Sequence, residues 1–365
     1  MKICIVFNHP APYKVRLFNE LAKKHDIFVV FERKASSGRA KNFYNEEIHF
    51  PHIFLKGINV GEENFISNGI KTHLKQNKYD LIIMNGYSTF AEIKAIKYMI
   101  KNHIPYSIYV NGGFIHKERT WKKKLKTNLI SNAQFYFAPS VEAKKYLTYY
   151  GAKEENIYLY TYSTIYENEI LTKPLLHDEK VALRKKLDLP TKNIFICVSR
   201  FLESKNLTNL IYFFIDYMPK DNNLILLGGG PLMYRYLQII RKEKAKNIFI
   251  FNHLDRNVVF DYLKASDIFL FPTLEDVYGH VVNEAMANGV PVISSDRALA
   301  SLKLIKNGYN GYIYTSGDKN QLLDDIKTIH KKNLAMNCLK TARENTIEKM
   351  IADHDHILEV ISKKL

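Results

Sequence analysis

The fold is decided by one stretch, residues 267–293, which reads DIFLFPTLEDVYGHVVNEAMANGVPVI. A short apolar strand ends in an acidic loop, and a turn glycine, Gly279, then opens a helix. Gly289 ends that helix, and Val290 begins the next apolar strand. Strand, loop, helix and strand in this order are the repeating unit of a doubly wound α/β sheet.

The same alternation continues along the whole chain. Runs of about four to six apolar residues are typical of strands that are buried on both faces, as in parallel sheets. Helical patterns lie between them, for example at residues 15–24, 207–217 and 281–288. The sequence therefore predicts an α/β protein with strands at residues 3–7, 27–31, 81–84, 106–110, 135–138, 194–199, 224–227, 248–251, 268–271 and 290–293.

The length of 365 residues favours two domains over one, since domains commonly span about 100 to 200 residues. The alternation lapses between Glu167 and Asp178, where Pro174 would break a helix. We therefore place the first domain at residues 1–175 and the second at 176–346. Residues 347–365 are expected to form a terminal helix.

The composition excludes several classes of protein. It is 46% hydrophobic and 25% charged, which is unlike a disordered chain, a collagen-like fibre or a coiled coil. The three cysteines lie far apart, so we expect neither a disulfide framework nor a zinc site, and we expect a reducing compartment. No apolar run approaches the ~18 residues that span a bilayer, and the first strand is too short for a signal peptide. We expect a cytoplasmic protein.

The chain is strongly basic, with 53 Lys and Arg against 37 Asp and Glu and a formal charge of +16. Residues 1–180 hold 27 of the basic and 17 of the acidic side chains, so the excess is larger in the first half. This balance predicts an anionic partner, which could be a phosphorylated ligand, an acidic membrane surface or nucleic acid. No helix-turn-helix, zinc-finger or RNA-binding motif accompanies the charge, so we expect no nucleic acid.

The loop and helix of the deciding stretch suit a phosphorylated ligand. Ligands of doubly wound sheets lie at the carboxyl ends of strands, beside helix N-termini with free N–H groups. We expect a phosphate against the amides of Gly279, His280 and Val281, and vicinal hydroxyls such as those of ribose against Glu284. Any one of these residues alone would more often be an ordinary turn or surface residue, but the whole string at this spacing points to a site.

Two further loops follow predicted strands. Arg200 and Lys205 come after the strand at 194–199, where their charges could neutralise a diphosphate. The run Gly228-Gly229-Gly230-Pro231 follows the next strand, and glycines such as Gly229 let a backbone approach a ligand closely. We expect Pro231 at the first position of the helix that follows. The run is not a Rossmann fingerprint, and the chain has no P-loop.

Arg200 with Lys205, the glycine run, and the string from Asp276 to Glu284 together resemble the retaining glycosyltransferases of the GT-B fold (family 4, "glycosyl transferases group 1"). The resemblance implies two Rossmann-like domains that face each other across a cleft, with the last helix packed on the first domain. It implies that Arg200 and Lys205 bind the donor's diphosphate, that Glu284 holds the ribose, and that Asp276 contacts the transferred sugar. Asp276 stands where the family usually has Glu, and Glu275 beside it is a lesser candidate.

The first half resembles the family less closely, through residues 8–18 and the loop Asn111-Gly112-Gly113-Phe114. His9, Asn111 and Gly112 are candidates for contact with the acceptor or the transferred sugar, and about as readily ordinary loop residues. The run Asp353-His354-Asp355-His356 could suggest a metal site, but residues at i and i+2 of a helix do not share a face. We expect a solvated helix there, no metal and no cofactor.

The resemblance and the charge together define the expected function. We expect a metal-independent, retaining hexosyltransferase (EC 2.4) that uses a UDP-sugar and a glycan acceptor, which we expect to be lipid-linked. The setting would be bacterial capsule, O-antigen or lipopolysaccharide synthesis at the inner face of the membrane. Trp121 lies within a basic cluster suited to an anionic membrane, formed by Lys117, Arg119, Lys122, Lys123, Lys124 and Lys126. An ordinary solvated basic face is the alternative interpretation of this cluster.

Two alternatives remain open at this point. One is a soluble glycosyltransferase that acts on a small polyol or a storage glucan. The other is a protein that binds a nucleotide-sugar or nucleic acid without catalysis. An acceptor that needs no lipid would favour the first, and salt-dependent binding to duplex DNA would favour the second.

Overall fold

The computed structural model describes residues 1–35, 44–60, 64–191, 193–329 and 331–365. The chain divides into two compact units, each built on a parallel sheet. Unit 1 consists of Met1–Tyr162 and Ile347–Leu365, and unit 2 of Ser163–Thr346. Among the described residues, no helix has both the length and the apolar composition needed to cross a membrane.

The sheet of unit 1 has seven parallel strands in the order β3-β2-β1-β6-β7-β8-β9. Its central strands are almost wholly buried, which explains their continuous apolar sequences. The strands are β1 (Lys2–Phe7), β2 (Asp26–Phe31), β3 (His52–Phe54), β6 (Leu81–Asn85), β7 (Ser107–Tyr109), β8 (Phe135–Ala138) and β9 (Ile157–Leu159), with a separate antiparallel pair, β4 (Ile58–Val60) and β5 (Asn64–Ile66).

The helices of unit 1 connect these strands. Pro12 is the first residue of α1, a position where its missing N–H has no partner to lose. The helices are α1 (Pro12–Ala22), α2 (Gly69–Gln76), α3 (Phe90–Lys101), α4 (Thr120–Ser131), α5 (Val141–Tyr149) and the terminal α14 (Ile347–Ser362).

Unit 2 has six parallel strands in the order β12-β11-β10-β13-β14-β15. The strands are β10 (Ile194–Val198), β11 (Asn223–Leu227), β12 (Ile248–Phe251), β13 (Ile268–Phe271), β14 (Val292–Ser295) and β15 (Gly311–Tyr314). The helices are α6 (His177–Lys186), α7 (Leu207–Tyr217), α8 (Met233–Lys242), α9 (Arg256–Ala265), α10 (Val281–Ala287), α11 (Leu299–Leu304), α12 (Lys319–Ile329) and α13 (Ala335–Arg343). The α/β architecture predicted from the sequence is confirmed.

The division between the units lies after Tyr162, earlier than the boundary placed after residue 175. The intervening segment belongs to unit 2 because its backbone bonds to that unit. The amide of Leu171 donates to the carbonyl of Ala287 (3.1 Å), and Arg343 donates to the carbonyls of Leu171 and Thr172. Pro174 interrupts the helical pattern without marking a change of unit.

Helix α14 packs against α1 within unit 1, and its polar run is not a solvated face. His354 is buried, and its Nε2 lies 3.2 Å from the hydroxyl of Tyr109. Asp355 pairs with Lys24 and His25. The expectation of solvent exposure was wrong for His354 and Asp355, because these side chains anchor the helix to β7 and to the segment that follows α1, whereas His356 is exposed. Among the described residues, no three His, Cys, Asp or Glu side chains are grouped to hold a metal ion.

Candidate functional site

The order of the strands in unit 2 identifies where a ligand would lie. The chain runs from β10 outward through β11 to β12, and then returns to the other side of β10 with β13. Ligands of open α/β sheets bind beyond the carboxyl ends of the strands at such a reversal. Arg200 follows β10, and the loop from Thr273 to Gly279 follows β13, so both predicted motifs lie at this point.

Lys205 and Asp276 form an ion pair between these two loops. Lys205 Nζ lies 2.6 Å from Asp276 Oδ2 and also donates to the carbonyl of Glu275 (3.3 Å). The other oxygen of Asp276, Oδ1, accepts from the amide of Tyr278 (3.1 Å). Both charges are largely shielded from solvent, which strengthens their attraction relative to an exposed pair. The carboxylate is therefore held in one orientation.

The carbonyl of Ser204 brings the two loops together. It accepts from the amide of Leu274 (2.7 Å) and from the hydroxyl of the buried Thr273 (2.9 Å). Ser204 immediately precedes Lys205, so these bonds place the lysine beside the acidic loop. The next residue, Asn206, has the left-handed φ of 59° and immediately precedes α7.

The glycine run supports the loop that carries Arg200. The amide of Phe201 donates to the carbonyl of Gly229 (2.8 Å). A Cβ on Gly228 would lie 1.9 Å from the carbonyl oxygen of Ser199, and one on Gly230 would lie 2.7 Å from that of Phe201. The glycines are thus needed for close approach of two protein loops, and the ligand need not be the reason for them. Helix α8 begins at Met233, so the expectation that Pro231 starts it was wrong.

Arg200 is exposed, and its side chain makes no hydrogen bond or ion pair with the part of the chain that the structure describes. Its neighbours on both sides are held to β11 and the glycine run, because the amide of Ser199 donates to the carbonyl of Leu227. Gly229 lies against Asn252 and His253, which follow β12. The structure therefore presents a free guanidinium on an anchored backbone.

Gly279 allows the turn into α10. Its φ is +95°, and a Cβ there would lie 3.0 Å from the ring of the buried Phe271. Helix α10 has seven residues, and the amides of Val282 and Asn283 already bond to Gly279 and His280. Any phosphate expected at this helix would thus meet the preceding amides, up to that of Val281.

The ring of His280 lies beside Tyr278, with the ring centres 4.9 Å apart. Tyr278 is buried, and burial raises the pKa of its phenol, so the side chain remains neutral. The two rings pack against each other at the turn that leads into α10.

Glu284 contacts residues that the sequence analysis did not identify. Its Oε1 accepts from Arg256 Nη1 (3.1 Å) and from the hydroxyl of Thr164 (3.1 Å). Arg256 begins α9 and also donates to Glu169. These residues are distant in sequence from α10, and no motif marks them, so only the packing of unit 2 reveals them.

The candidates in unit 1 lie at the matching edge of its own sheet. His9 follows β1, and its ring packs edge-on against Tyr44 with 5.6 Å between ring centres. Asn111 follows β7 and donates to Asn85 at the end of β6 (3.3 Å). The buried Oδ1 of Asn111 accepts no hydrogen bond from the described residues. Gly112 adopts a φ of +154° beside it.

The basic cluster around α4 is only partly available to solvent. Lys123 donates to the hydroxyl of Tyr149 (2.7 Å), and Lys126 pairs with Glu118 (2.9 Å). Trp121 is 58% exposed. The remaining cations are exposed and form no ion pair or side-chain hydrogen bond with the described residues: Lys117, Arg119, Lys122 and Lys124. The ammonium of Lys122 lies 5.7 Å from the ring centre of Trp121.

Comparison with known proteins identifies the family of unit 2. The sequence model described as "Glycosyl transferases group 1" matches residues 179–347. This region is a group 1 glycosyltransferase domain. It lies within unit 2 except for its last residue, begins at residue 179 where unit 2 begins at Ser163, and contains Arg200, Lys205, Asp276 and Glu284.

The relatives of the chain agree with this assignment. N-acetyl-alpha-D-glucosaminyl L-malate synthase of Bacillus anthracis is 29% identical over 160 residues, which are 43% of this chain and 42% of that protein. The match thus spans less than half of that relative. The O-antigen biosynthesis glycosyltransferase WclY of Escherichia coli is 21% identical over 338 residues, 87% of this chain and 84% of that protein.

The likeness to solved structures extends beyond the group 1 domain. HepE of Anabaena, solved in complex with UDP, superposes with a TM-score of 0.77 over 100% of both chains at 18% identity. This likeness shows the fold, which is GT-B. The fold expected from the resemblance is confirmed.

Proposed function

We propose that this chain is a retaining glycosyltransferase that moves a hexose from a nucleotide-diphospho-sugar to a glycan acceptor. The observation that carries the proposal is the ion pair of Lys205 with Asp276, held at the reversal point of the group 1 domain's sheet beside the free guanidinium of Arg200. Cations for a diphosphate and a carboxylate for sugar hydroxyls thus lie on two loops bonded to each other.

The chemistry follows from where charge develops. The bond between the anomeric carbon and the diphosphate oxygen breaks, and negative charge grows on the departing diphosphate. Arg200 and Lys205 would offset that charge, and Lys205, whose ammonium is held in place by Asp276 before the reaction, needs little reorganisation. Their contribution is electrostatic, so the proposal requires no proton transfer by either side chain and no divalent cation.

The new bond forms between the acceptor oxygen and the anomeric carbon on the face that the diphosphate leaves. The departing phosphate oxygen takes the acceptor's proton, which balances the reaction and gives retention through an oxocarbenium-like state. Asp276 would accept hydrogen bonds from the transferred sugar, and Glu284 from the ribose hydroxyls. Neither carboxylate acts as the base.

Unit 1 would supply the acceptor site. Asn111 offers a buried oxygen that accepts nothing from the described residues, which suits a sugar hydroxyl. His9 and Gly112 lie on loops at the same edge of that sheet. We infer that this edge, where the strand order also reverses between β1 and β6, holds the acceptor glycan.

The donor and the setting are inferred from the relatives. HepE was solved with UDP, and WclY is an O-antigen biosynthesis glycosyltransferase, so we propose a UDP-sugar donor and a role in bacterial surface polysaccharide synthesis. Because glycans of this class are assembled on lipids, the acceptor would be lipid-linked and the enzyme would work on the inner face of the membrane. The exposed cations Lys117, Arg119, Lys122 and Lys124 beside Trp121 would dock it there.

The test is a transfer assay with radiolabelled UDP-hexoses and three acceptors: a bacterial lipid-linked glycan extract, small polyols and a storage glucan. We expect label in the lipid-linked product, with NMR showing the donor's anomeric configuration. Transfer to polyol or glucan alone would favour the soluble alternative. Nucleotide binding without transfer to any acceptor would favour a non-catalytic protein.

A further inference from the structure

The two oxygens of the Glu284 carboxylate differ in their surroundings. Oε1 accepts two hydrogen bonds, one from Arg256 Nη1 and one from the Thr164 hydroxyl, both 3.1 Å. Oε2 makes no hydrogen bond with the described residues, and the side chain remains 15% exposed. One oxygen is therefore saturated by the protein, and the other is open to a ligand.

Arg256 is held firmly enough to orient this carboxylate. Its Nε and Nη2 donate to the two oxygens of Glu169 (3.2 and 3.3 Å), and Nη2 also donates to the carbonyl of Thr164 (2.8 Å). The guanidinium lies 4.7 Å from the ring centre of Phe260, one turn along α9. A guanidinium that forms paired hydrogen bonds and packs on an aromatic ring has little freedom to move.

Glu169 is held in turn by the backbone. Its Oε2 accepts from the amide of Tyr166 (2.8 Å), which closes a short turn over Glu167–Glu169. Arg256 thus lies between two carboxylates, those of Glu169 and Glu284, and its charge offsets their mutual repulsion. The resulting network joins the segment after Tyr162 to α9 and α10.

We propose that Arg256 and Thr164 are positioning residues that make Glu284 select ribonucleotides over 2′-deoxyribonucleotides. With Oε1 occupied, both ribose hydroxyls must donate to Oε2, which has two lone pairs for them. A nucleotide that lacks the 2′-hydroxyl leaves one of these positions unfilled. This inference rests on the proposed function, since it assumes that Glu284 faces the donor's ribose.

The expected selectivity follows from the cost of an unmade hydrogen bond to a charged group. Such a bond changes affinity by about ten- to a hundredfold. When Arg256 or Thr164 is lost, the carboxylate can rotate and no longer presents one fixed oxygen to both ribose hydroxyls. The ribonucleotide therefore loses affinity, while the affinity of the deoxyribonucleotide, which lacks one of the two bonds already, changes little. The ratio of the two dissociation constants should therefore fall towards one.

The test is calorimetric titration with UDP, GDP, CDP and ADP, each paired with its 2′-deoxy counterpart. The variants are Arg256→Met, Arg256→Lys and the milder Thr164→Val, with circular dichroism to check folding. Arg343→Met is the matched control, because Arg343 holds Leu171 and Thr172 of the neighbouring segment without touching Glu284. We expect a wild-type ratio of about ten or more, a ratio near one in Arg256→Met and Thr164→Val, partial recovery in Arg256→Lys, and no change in Arg343→Met.

Two outcomes would overturn the proposal, and they differ. If wild type selects ribonucleotides and folded Arg256→Met and Thr164→Val keep that ratio, the positioning role is wrong while the nucleotide site stands. If wild type binds none of the nucleotides, the proposed function fails together with this inference.

Discussion

Lys205 Nζ and Asp276 Oδ2 lie 2.6 Å apart although the two residues are 71 positions apart in the sequence. The contact exists because β10 and β13 are neighbours in the sheet. It orients a carboxylate that we assign to the sugar and places an ammonium where we assign the diphosphate. A donor's diphosphate would share the lysine with Asp276.

Replacing Lys205 should therefore remove activity more than affinity. We expect Lys205→Ala to lower kcat by about a hundred- to a thousandfold, the usual effect of losing one preorganised donor to a developing negative charge. Lys220→Ala is the control, since Lys220 is an exposed lysine of the same unit. Steady-state kinetics would contradict the assignment if both variants turned over like wild type.

The glycine run offers a test of how Arg200 is supported. Gly228 and Gly317 both have a positive φ, of +147° and +93°, but only Gly228 has protein atoms where a Cβ would stand. Gly317→Ala should cost about 1 to 2 kcal/mol of unfolding free energy through backbone strain alone. Gly228→Ala should cost about 1 to 3 kcal/mol more through the clash with Ser199, and it should also weaken nucleotide binding. If urea unfolding shows that Gly228→Ala and Gly317→Ala lose equal amounts of unfolding free energy, this account is contradicted.

The sequence predicted ten strands of the two parallel sheets, among them all of the central ones, because strands buried on both faces have continuous apolar runs. It missed the edge strands β3, β9 and β15 and the separate pair of β4 and β5, all of which are short and have partly exposed side chains. The positions of Arg200, Lys205 and Asp276 could be predicted because parallel strands end at one edge of a sheet. The role of Arg256 could not be predicted, since its contact with Glu284 depends on how α9 packs beside α10.

The glycines show a second limit of the sequence. The sequence analysis explains the glycine run by the close approach of a ligand. In the structure, Gly228 and Gly230 instead allow the loops that follow β10 and β11 to contact each other. A run of glycines indicates close approach, and the sequence alone does not reveal what approaches. The same holds for the polar run of α14, where His354 packs against Tyr109 instead of solvent.

The stability of unit 1 should depend on pH through two buried carboxyl groups. Glu32 follows β2 and accepts from the Thr89 hydroxyl (2.6 Å), while Glu92 accepts from the amides of Ser88 and Thr89. Burial and the nearby Glu92 raise the pKa of Glu32 to about 8, against the opposing pull of Arg33. Burial raises the pKa of Glu92 to about 7.

Both pKa values lie above the 4.5 of a free side chain, so the folded state binds more protons than the unfolded state between about pH 4.5 and 8. The unfolding free energy should fall as pH rises through this range. Glu32→Gln should flatten the fall, whereas Glu47→Gln, at a side chain that is 85% exposed, should not. Urea unfolding at pH 5.5 and 8.0 measures this change in unfolding free energy. If the change is the same in Glu32→Gln as in wild type, Glu32 is not protonated in the folded state.

Docking on a membrane should depend on the exposed cations beside α4. Replacing Lys117, Lys122 and Lys124 with Glu should abolish flotation with anionic vesicles, since each contributes about 1 kcal/mol near the surface. The matched control replaces Lys185, Lys186 and Lys242, which are exposed in unit 2, with the same change in charge. If the two triple variants float alike, the α4 surface is not the docking site.

The central claim, that the group 1 domain binds a nucleotide-diphospho-sugar, is tested most directly by thermal unfolding with UDP, GDP, CDP, ADP and dTDP. At a hundred times its dissociation constant, a nucleotide stabilises by about 2.7 kcal/mol, which should raise Tm by roughly 5 to 10 °C. We predict this shift with UDP in wild type and its loss in Glu284→Ala and Arg200→Ala. No shift with any of the five, or equal shifts in wild type and both variants, would contradict the account.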